Sequence, residues 1–169
     1  MRRISLAVVF LALASGCSQR AQDGITSSQT LEDFTLDQTS RGTPKWQLHA
    51  ESAILHEETQ VSGLTRPTMQ FYENGKAVSR VRSQAGQVRL ETHDVHLSSS
   101  VVLEVLEDHT VLYTDTLDYS SKRQRFTTQA DVLIVKPEGQ TRGQGMEAKP
   151  DLSEIRIFRQ KSVIKEGGA

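Results

Sequence analysis

The chain has a single cysteine, Cys17, among its 169 residues, and no long apolar run after its first few positions. A single thiol cannot form a disulfide within the chain, so a disulfide framework is excluded. A membrane-spanning helix needs roughly twenty apolar residues, and no such run follows the leader. The 20 basic and 21 acidic residues give a formal net charge of −1. This balance of charges provides no positive potential for binding nucleic acid.

Aromatic residues are also scarce, at 5% of the chain, and no segment after the leader has the pattern of an amphipathic helix. Without helices, the apolar faces of strands can be buried only by stacking one sheet on another. A chain of this length is large enough for one domain with a real core. The sequence therefore predicts a single all-β sandwich or jelly roll.

The first 17 residues have the features of a secretory signal. Arg2 and Arg3 form a positive region, residues 4–13 are apolar, and Ala14-Ser15-Gly16 are small residues directly before Cys17. This end resembles the lipobox of bacterial lipoproteins, so we expect Cys17 to be lipid-modified and to anchor the protein through its acyl chains. A retained transmembrane anchor and a plain secreted protein are the alternatives, although the apolar run is only about half the length of a span.

The composition then predicts four segments. Residues 1–17 form the signal peptide with the modified Cys17. Residues 18–28 are small and polar without periodicity, which is typical of a flexible tether. Residues 29–165 form the β-domain, and residues 166–169 are a polar tail.

The clearest strand follows a turn signal at Gly42. Trp46, Leu48 and Ala50 recur at period two and predict a strand with one buried face. We expect Gly42 to have a positive φ, because the turn before this strand requires it. The next apolar residue, Ala53, is out of phase, which indicates either a bulge or a new strand.

Turn signals recur about every ten residues afterwards and predict a meander of short strands. Asn74-Gly75 is the strongest of them and predicts a tight hairpin. Further on, Val111 and Tyr113 are assigned to an apolar face. The same alternation places Asp115 and Asp118 on opposite faces, which argues against paired acid and base chemistry.

With these residues in view, the chain resembles the LptC family of the lipopolysaccharide export machinery. The similarity runs in order along the β-domain and rests on several short stretches. They are Gly42 with residues 44–50, residues 64–67, Phe71-Tyr72, Asn74-Gly75, residues 85–88, residues 97–105, residues 112–119, residues 143–146 and residues 152–155.

The resemblance implies a twisted open β-jelly roll of the OstA/LptA-like kind, with two antiparallel sheets enclosing an apolar groove. It implies that the groove binds lipopolysaccharide acyl chains and that no cofactor is needed. The lipid would come from the subunits of an inner-membrane ABC transporter and pass to a periplasmic bridge protein of the same fold by edge-strand pairing. The protein would be periplasmic and held at a membrane, the inner one, by the lipidated Cys17.

Two sets of residues carry this expectation. The lipid-binding set is Trp46, Leu48, Ala50, Met69, Phe71, Val101, Leu103, Val105 and Tyr113. The partner edges contain Leu31, Phe34, Leu36, Ile155, Ile157 and Val163. The chain departs from the family's pattern in its leader, which replaces an uncleaved transmembrane helix, and at Ser99 and His109, where glycines are common.

Other interpretations stay open. The apolar faces could form a closed core, which would make the protein a structural lipoprotein that acts as a scaffold in an envelope complex. An envelope hydrolase is disfavoured because no nucleophile elbow occurs. His93 and His96, three apart on a predicted strand, would point to opposite faces and make a poor metal pair. The basic turn at residues 122–125 could contact lipid phosphates or simply be solvated.

Overall fold

The computed structural model describes residues 28–56 and 58–164, with backbone alone for residues 161–164. Within these ranges the chain is built of antiparallel strands, which confirms the all-β prediction. The strands are β1 (Ser28–Ser40), β2 (Thr43–His56), β3 (Val61–Thr65), β4 (Thr68–Glu73), β5 (Lys76–Arg82), β6 (Ala85–Arg89), β7 (Asp94–Val105), β8 (Val111–Ser120), β9 (Arg125–Lys136), β10 (Gly139–Ala148) and β11 (Ile155–Ile164). In the described part of the chain, no helix has the length and apolar character needed to cross a membrane.

The strands form one sheet in which some strands change partner along their length. Residues 46–49 of β2 pair with β4, whereas residues 52–56 pair with β3. In the same way, residues 94–98 of β7 pair with β6 and residues 102–105 pair with β5. The sheet therefore divides into two layers. Layer 1 contains β4, β5 and the Trp46 end of β2, and layer 2 contains β3, β6 and the His56 end of β2.

The two layers meet along a line of bends, which we call the corner. It is marked by Asp33, Glu51, Arg66, Gln84, Ser99, Ser100, Asp115, Gly145 and Phe158. Two adjacent residues of β7, Ser99 and Ser100, have φ of 65° and 60°, and the pairing register of β8 with β9 shifts between Thr114 and Asp118. Such bulges are the usual means by which strands pass from one packed sheet to another. The long strands thus belong to both layers.

The predicted tight turns are confirmed. Arg41 and Gly42 have φ of 51° and 77°, and Asn74 and Gly75 have φ of 50° and 77°. Two successive positive φ values are typical of the turn whose twist matches that of the flanking strands. The positive φ expected at Gly42 is thereby borne out.

The step between Ala50 and Ala53 is a bend within β2 and not the start of a new strand. Both alanines are completely buried, with Glu51 exposed between them at the corner. In a straight strand, residues three apart point to opposite faces. Ala50 and Ala53 both face the interior because β2 bends between them, so Ala50 belongs to layer 1 and Ala53 to layer 2.

The core lies between the layers. Its buried apolar residues are Trp46, Leu48, Ala50, Ala53, Leu64, Met69, Phe71, Val81, Val88, Val95, Leu97, Val101, Leu103, Val105, Leu112, Leu117, Tyr119, Phe126, Val132, Ile134, Met146 and Ala148. Aromatic rings pack across the gap, since Phe71 of layer 1 lies 4.9 Å from Tyr119 of layer 2, measured between ring centroids. The layers therefore bury their apolar faces on each other.

Candidate functional site

The interior brings together most of the predicted lipid-binding residues. Trp46, Leu48 and Ala50 of β2 lie beside Met69 and Phe71 of β4, with Trp46 opposite Phe71 and Leu48 opposite Met69. The β7 residues of the set line the same interior, and these are Val101, Leu103 and Val105. Every one of these side chains is at most 7% exposed.

Tyr113 is the exception, and its assignment to the interior is wrong. Its side chain is 45% exposed, while Leu112 and Thr114 on either side are buried. The prediction carried one alternation through Tyr113, Leu117 and Tyr119. The corner interrupts the pairing of β8 with β9 between Thr114 and Asp118, and an interrupted register moves the following residues to the other face.

The bulge in β8 also explains why the predicted orientation of Asp115 and Asp118 is wrong. Asp115 and Asp118 are both exposed and so do not alternate between buried and exposed faces. Asp118 instead pairs with His96, whose Nδ1 lies 2.7 Å from its Oδ1. His93 lies in the turn before β7 and packs against Trp46, with ring centroids 6.3 Å apart. Over the described ranges, no three His, Cys, Asp or Glu side chains are grouped to hold a metal.

An aromatic cluster, formed by Trp46, Phe71, Tyr119 and Phe126, occupies one end of the interior. Phe126 and Phe71 have centroids 5.2 Å apart, and Trp46 and Tyr119 have centroids 6.1 Å apart. Edge-to-face pairs of this kind contribute about 0.5–1.5 kcal/mol beyond the area they bury. The sequence analysis missed Phe126, although its place directly after the basic turn and before alternating residues was a usable strand signal.

The interior also contains a polar atom without a partner. Ser79 lies opposite Phe71 on one side and Val105 on the other, and its side chain is completely buried. Its Oγ has no hydrogen-bond partner among the described residues. A buried hydroxyl left unpaired costs roughly 1–3 kcal/mol, so Ser79 lowers the stability of the closed interior.

The interior is less well covered at the two free edges of the sheet. At the β1 edge, Leu31 pairs with buried Ala53 but is 40% exposed, and Phe34 pairs with Ala50. Leu36, opposite Leu48, also packs against the core while only partly buried. Inward-facing apolar side chains are therefore partly open to solvent at this edge.

The β11 edge repeats the arrangement. Ile155 pairs with buried Ala148 and is itself 40% exposed, and Ile157 pairs with buried Met146. Val163 pairs with Gln140 along the backbone, while its side chain is outside the described part. The corner runs across the strands from β1 to β11, so the packed apolar interior between the layers, which we call the trough, extends to both free edges.

A third opening lies between the layers at the strand ends farthest from the corner, and we call it the mouth. It has a volume of about 390 Å³ and is lined by Lys45, Arg123, Arg125, Lys149, Phe71 and Tyr119, among others. The predicted basic turn therefore does not stand alone, because the fold adds Lys45 and Lys149 to it. Burial raises the pKa of Tyr119, with a smaller contribution from the charge of Asp94, so its hydroxyl stays neutral.

Glu154 organises the charges on one side of the mouth. It accepts a hydrogen bond from Arg125 Nη2 at 2.5 Å and forms an ion pair with Lys149. These hydrogen bonds hold the pKa of Glu154 below its usual value, and the bond from Lys149 has the larger effect. The carboxylate thus fixes the positions of two cations.

A separate groove of about 840 Å³ borders Tyr113 on the exposed face. Val102, Leu133 and Arg142 are among its lining residues. Val102, Tyr113 and Leu133 are adjacent in register across β7, β8 and β9. Tyr113 therefore faces this groove, to whose lining the core residues Val101 and Val132 also contribute.

Such a folded antiparallel sheet, with an apolar interior between its layers and two free edges among the described strands, defines a β-jelly roll. The chain belongs to the LptC-related family of lipopolysaccharide-assembly proteins, whose sequence model matches residues 4–163. No curated protein matches the chain significantly. The family takes part in lipopolysaccharide transport as a non-enzymatic component, and it is periplasmic and associated with the cell envelope. The resemblance on which the sequence analysis relied is confirmed.

The family match includes residues 4–17 of the leader, but the structure does not describe the leader. Cys17, residues 1–27 and residues 165–169 are outside the described residues. The division into signal, tether, domain and tail, and the lipid modification of Cys17, therefore stay predictions.

Proposed function

We propose that this protein binds lipopolysaccharide acyl chains in the trough and passes the lipid along it from one free edge to the other. The observation that carries the proposal is the partial exposure of inward-facing apolar residues at both edges, represented by Leu31 and Ile155. A closed sandwich would cover these side chains. A trough continued by a partner on each side would bury them only in the assembly.

The strand order provides two separate edges for the two partners. β1 and β11 lie at opposite edges of the sheet, and each is paired on one side only among the described strands. We assign the β1 edge to the inner-membrane ABC transporter and the β11 edge to the periplasmic bridge protein of the same fold. Backbone pairing at each edge extends the trough into the partner, and Phe34 and Ile157 then line the joints.

Binding requires the layers to separate, because the interior side chains are packed on each other. Each acyl CH₂ removed from water contributes about 0.8 kcal/mol, so a few methylenes offset the loss of one aromatic contact between the layers. The bends of the corner are the natural hinge. Arg66 and Glu51 form an exposed ion pair at this hinge, outside the trough.

Attachment to a membrane completes the proposal. The leader ends at Cys17, and two acyl chains on that residue would be enough for stable anchoring where one is marginal. We assign the anchor to the inner membrane, next to the transporter. Residues 18–28 would then act as the tether and residues 29–165 as the binding domain.

Photo-crosslinking in cells tests the trough. A photo-reactive amino acid at Phe71, which is 3% exposed in the interior, should form adducts with lipopolysaccharide. The matched control is Gln47 on the same pair of strands, exposed and hydrogen-bonded to Asp37 Oδ1 at 2.8 Å. Adducts at Phe71 and none at Gln47 support the proposal, whereas no adduct at Phe71 in a folded, abundant protein contradicts it.

Truncation tests the edge assignment. Removing residues 151–169 deletes β11, so we expect the bridge protein to be lost from pull-downs while adducts at Phe71 persist. Removing residues 165–169 alone leaves β11 in place and serves as the control. Retention of the bridge protein by the longer deletion would place the contact elsewhere.

A structural scaffold is the second candidate, favoured by the complete burial of Leu48, Met69 and Leu103. In that case the interior is a closed core that never opens. The scaffold should purify without lipid and give no adduct at Phe71, which separates it from the transport proposal in the same experiment.

A further inference from the structure

The mouth gathers cations that are far apart in the sequence. Lys45 lies near the start of β2 in layer 1, Arg123 lies in the turn between β8 and β9, and Arg125 begins β9 in layer 2. Lys149 follows the end of β10. Positive charge therefore faces the opening from both layers, which a solvated turn alone would not produce.

The carboxylates near the mouth do not neutralise all of these cations. Glu154 pairs with Arg125 and Lys149, and Glu147 Oε1 lies 3.7 Å from Arg125 Nε. Glu73 also lines the opening. None of the ion pairs in the described ranges involves Lys45 or Arg123, so one cation on each side is left for an anion.

The mouth is also lined by aromatic rings. Phe71 and Tyr119 line the mouth and belong to the aromatic cluster of the interior. A ligand held here has its anionic part between Lys45 and Arg123 and its apolar part against the rings. An arginine fork can donate two parallel hydrogen bonds to phosphate oxygens, which gives such a site its selectivity.

We propose that the mouth binds a phosphate ester of the lipid headgroup, with Lys45 and Arg123 as its direct ligands, beside Arg125 and Lys149, whose positions Glu154 fixes. The assignment depends on the proposed lipid transport, because it places the headgroup at the mouth while the acyl chains enter the trough. It gives the trough a polarity, with phosphate at the open strand ends and acyl chains toward the corner.

The test compares two lipids that differ only in phosphate. Full-length protein in a nonionic detergent is titrated with diphosphorylated lipid A and with fully dephosphorylated lipid A carrying the same acyl chains. The double variant Lys45→Gln/Arg123→Gln should bind the diphosphorylated lipid about tenfold to a hundredfold more weakly. Its affinity for the dephosphorylated lipid should be unchanged.

Matched variants control for charge and folding. Lys122→Gln/Lys136→Gln removes two exposed cations that do not line the mouth, and it should leave both affinities unchanged. Lys45→Arg keeps the charge and should retain most of the binding. Phe71→Asp, which places a charge in the trough, should weaken the binding of both lipids alike, and its circular dichroism spectrum must match that of the wild type because Phe71 is part of the packed core.

The outcomes separate the phosphate site from the transport proposal. If Phe71→Asp weakens both lipids but the mouth variant changes neither, or changes both equally, the phosphate site is overturned and acyl binding stands. If the wild-type protein binds neither lipid, both proposals fail. Inorganic phosphate and pyrophosphate form a third arm, and tight binding of these ions, with equal affinity for the two lipids, would assign the mouth to a soluble anion and overturn the headgroup assignment.

Discussion

The ring of Phe71 meets the ring of Tyr119 at 69°, with centroids 4.9 Å apart, although the two residues come from opposite layers. Phe71 makes a second ring contact with Phe126 of layer 2. These contacts join the layers at the end remote from the corner. In the proposed function, their strength would set how easily the layers separate to admit lipid.

Replacing Phe71 with Ala should therefore lower the free energy of unfolding by about 3–5 kcal/mol, the range for removing a buried phenyl group. Urea denaturation monitored by circular dichroism measures the change. Tyr113→Ala is the matched control, since this aromatic residue is 45% exposed and its loss should cost no more than about 0.5 kcal/mol. Equal costs for the two variants would contradict the assignment of faces.

Gly42→Val should destabilise the protein and impair lipid transport at normal abundance. Gly42 has φ of 77°, and a left-handed conformation costs an ordinary residue about 1–2 kcal/mol, with more expected for a β-branched one. Thermal unfolding and a transport assay check the two effects.

The same substitution at Gly63 is its control. Gly63 lies in β3, and a Cβ added there would meet no atom within 4 Å. Because valine favours strands, Gly63→Val should be neutral or slightly stabilising. A destabilisation as large as that of Gly42→Val would show that backbone conformation is not the cause.

Gly143→Ala should loosen the β11 edge. A Cβ on Gly143 would lie 2.8 Å from the backbone oxygen of Arg159 and would also clash with the side chain of Ile157. Overpacking of this kind typically costs about 1–3 kcal/mol, and here relief requires β11 to move away from β10. Hydrogen exchange should become faster across residues 155–164 and stay unchanged in β2 and β4; uniform acceleration through the sheet would count against a local effect.

Glu154→Gln should lower the melting temperature at neutral pH and have no effect in acid. The pKa of Glu154 is lowered in the folded state, so its contribution to stability is present above the unfolded-state pKa and is lost as the pH falls through the folded value. Melting temperatures of variant and wild type should therefore differ near pH ~7 and converge toward pH ~3. Glu107→Gln, at an exposed carboxylate in the turn between β7 and β8, is the control, and a difference for Glu154→Gln that does not change with pH would contradict the ion-pair explanation.

The sequence predicted those features of the structure that are determined by residues close together in the chain. The turns at Gly42 and at Asn74-Gly75 were predictable, because backbone sterics at two residues decide them. Faces were predictable wherever a strand stays within one layer, as at Trp46, Leu48 and Ala50. The resemblance to the LptC family supplied the expectation of a groove, which alternation alone does not distinguish from a closed core.

The features that the sequence did not predict depend on contacts between residues far apart in the chain. Ser99 and Ser100 adopt left-handed conformations that their residue type does not favour, because the layers must fold over each other at that level. The resulting bulges reversed the assignment of Tyr113. Lys45 and Arg123 line the same opening from opposite layers, and no spacing in the sequence predicts that they come together.

The corner has a consequence for which strands can pair with the free edges of this protein. An exposed edge ordinarily recruits any extended chain, which is the route to aggregation. Here β1 and β11 bend between their two layers, at Asp33 and at Phe158. A straight strand can match one layer only, whereas a strand with a bend at the same level can match both. If partners pair with these edges as proposed, the bend should favour strands that bend at the same level over straight strands.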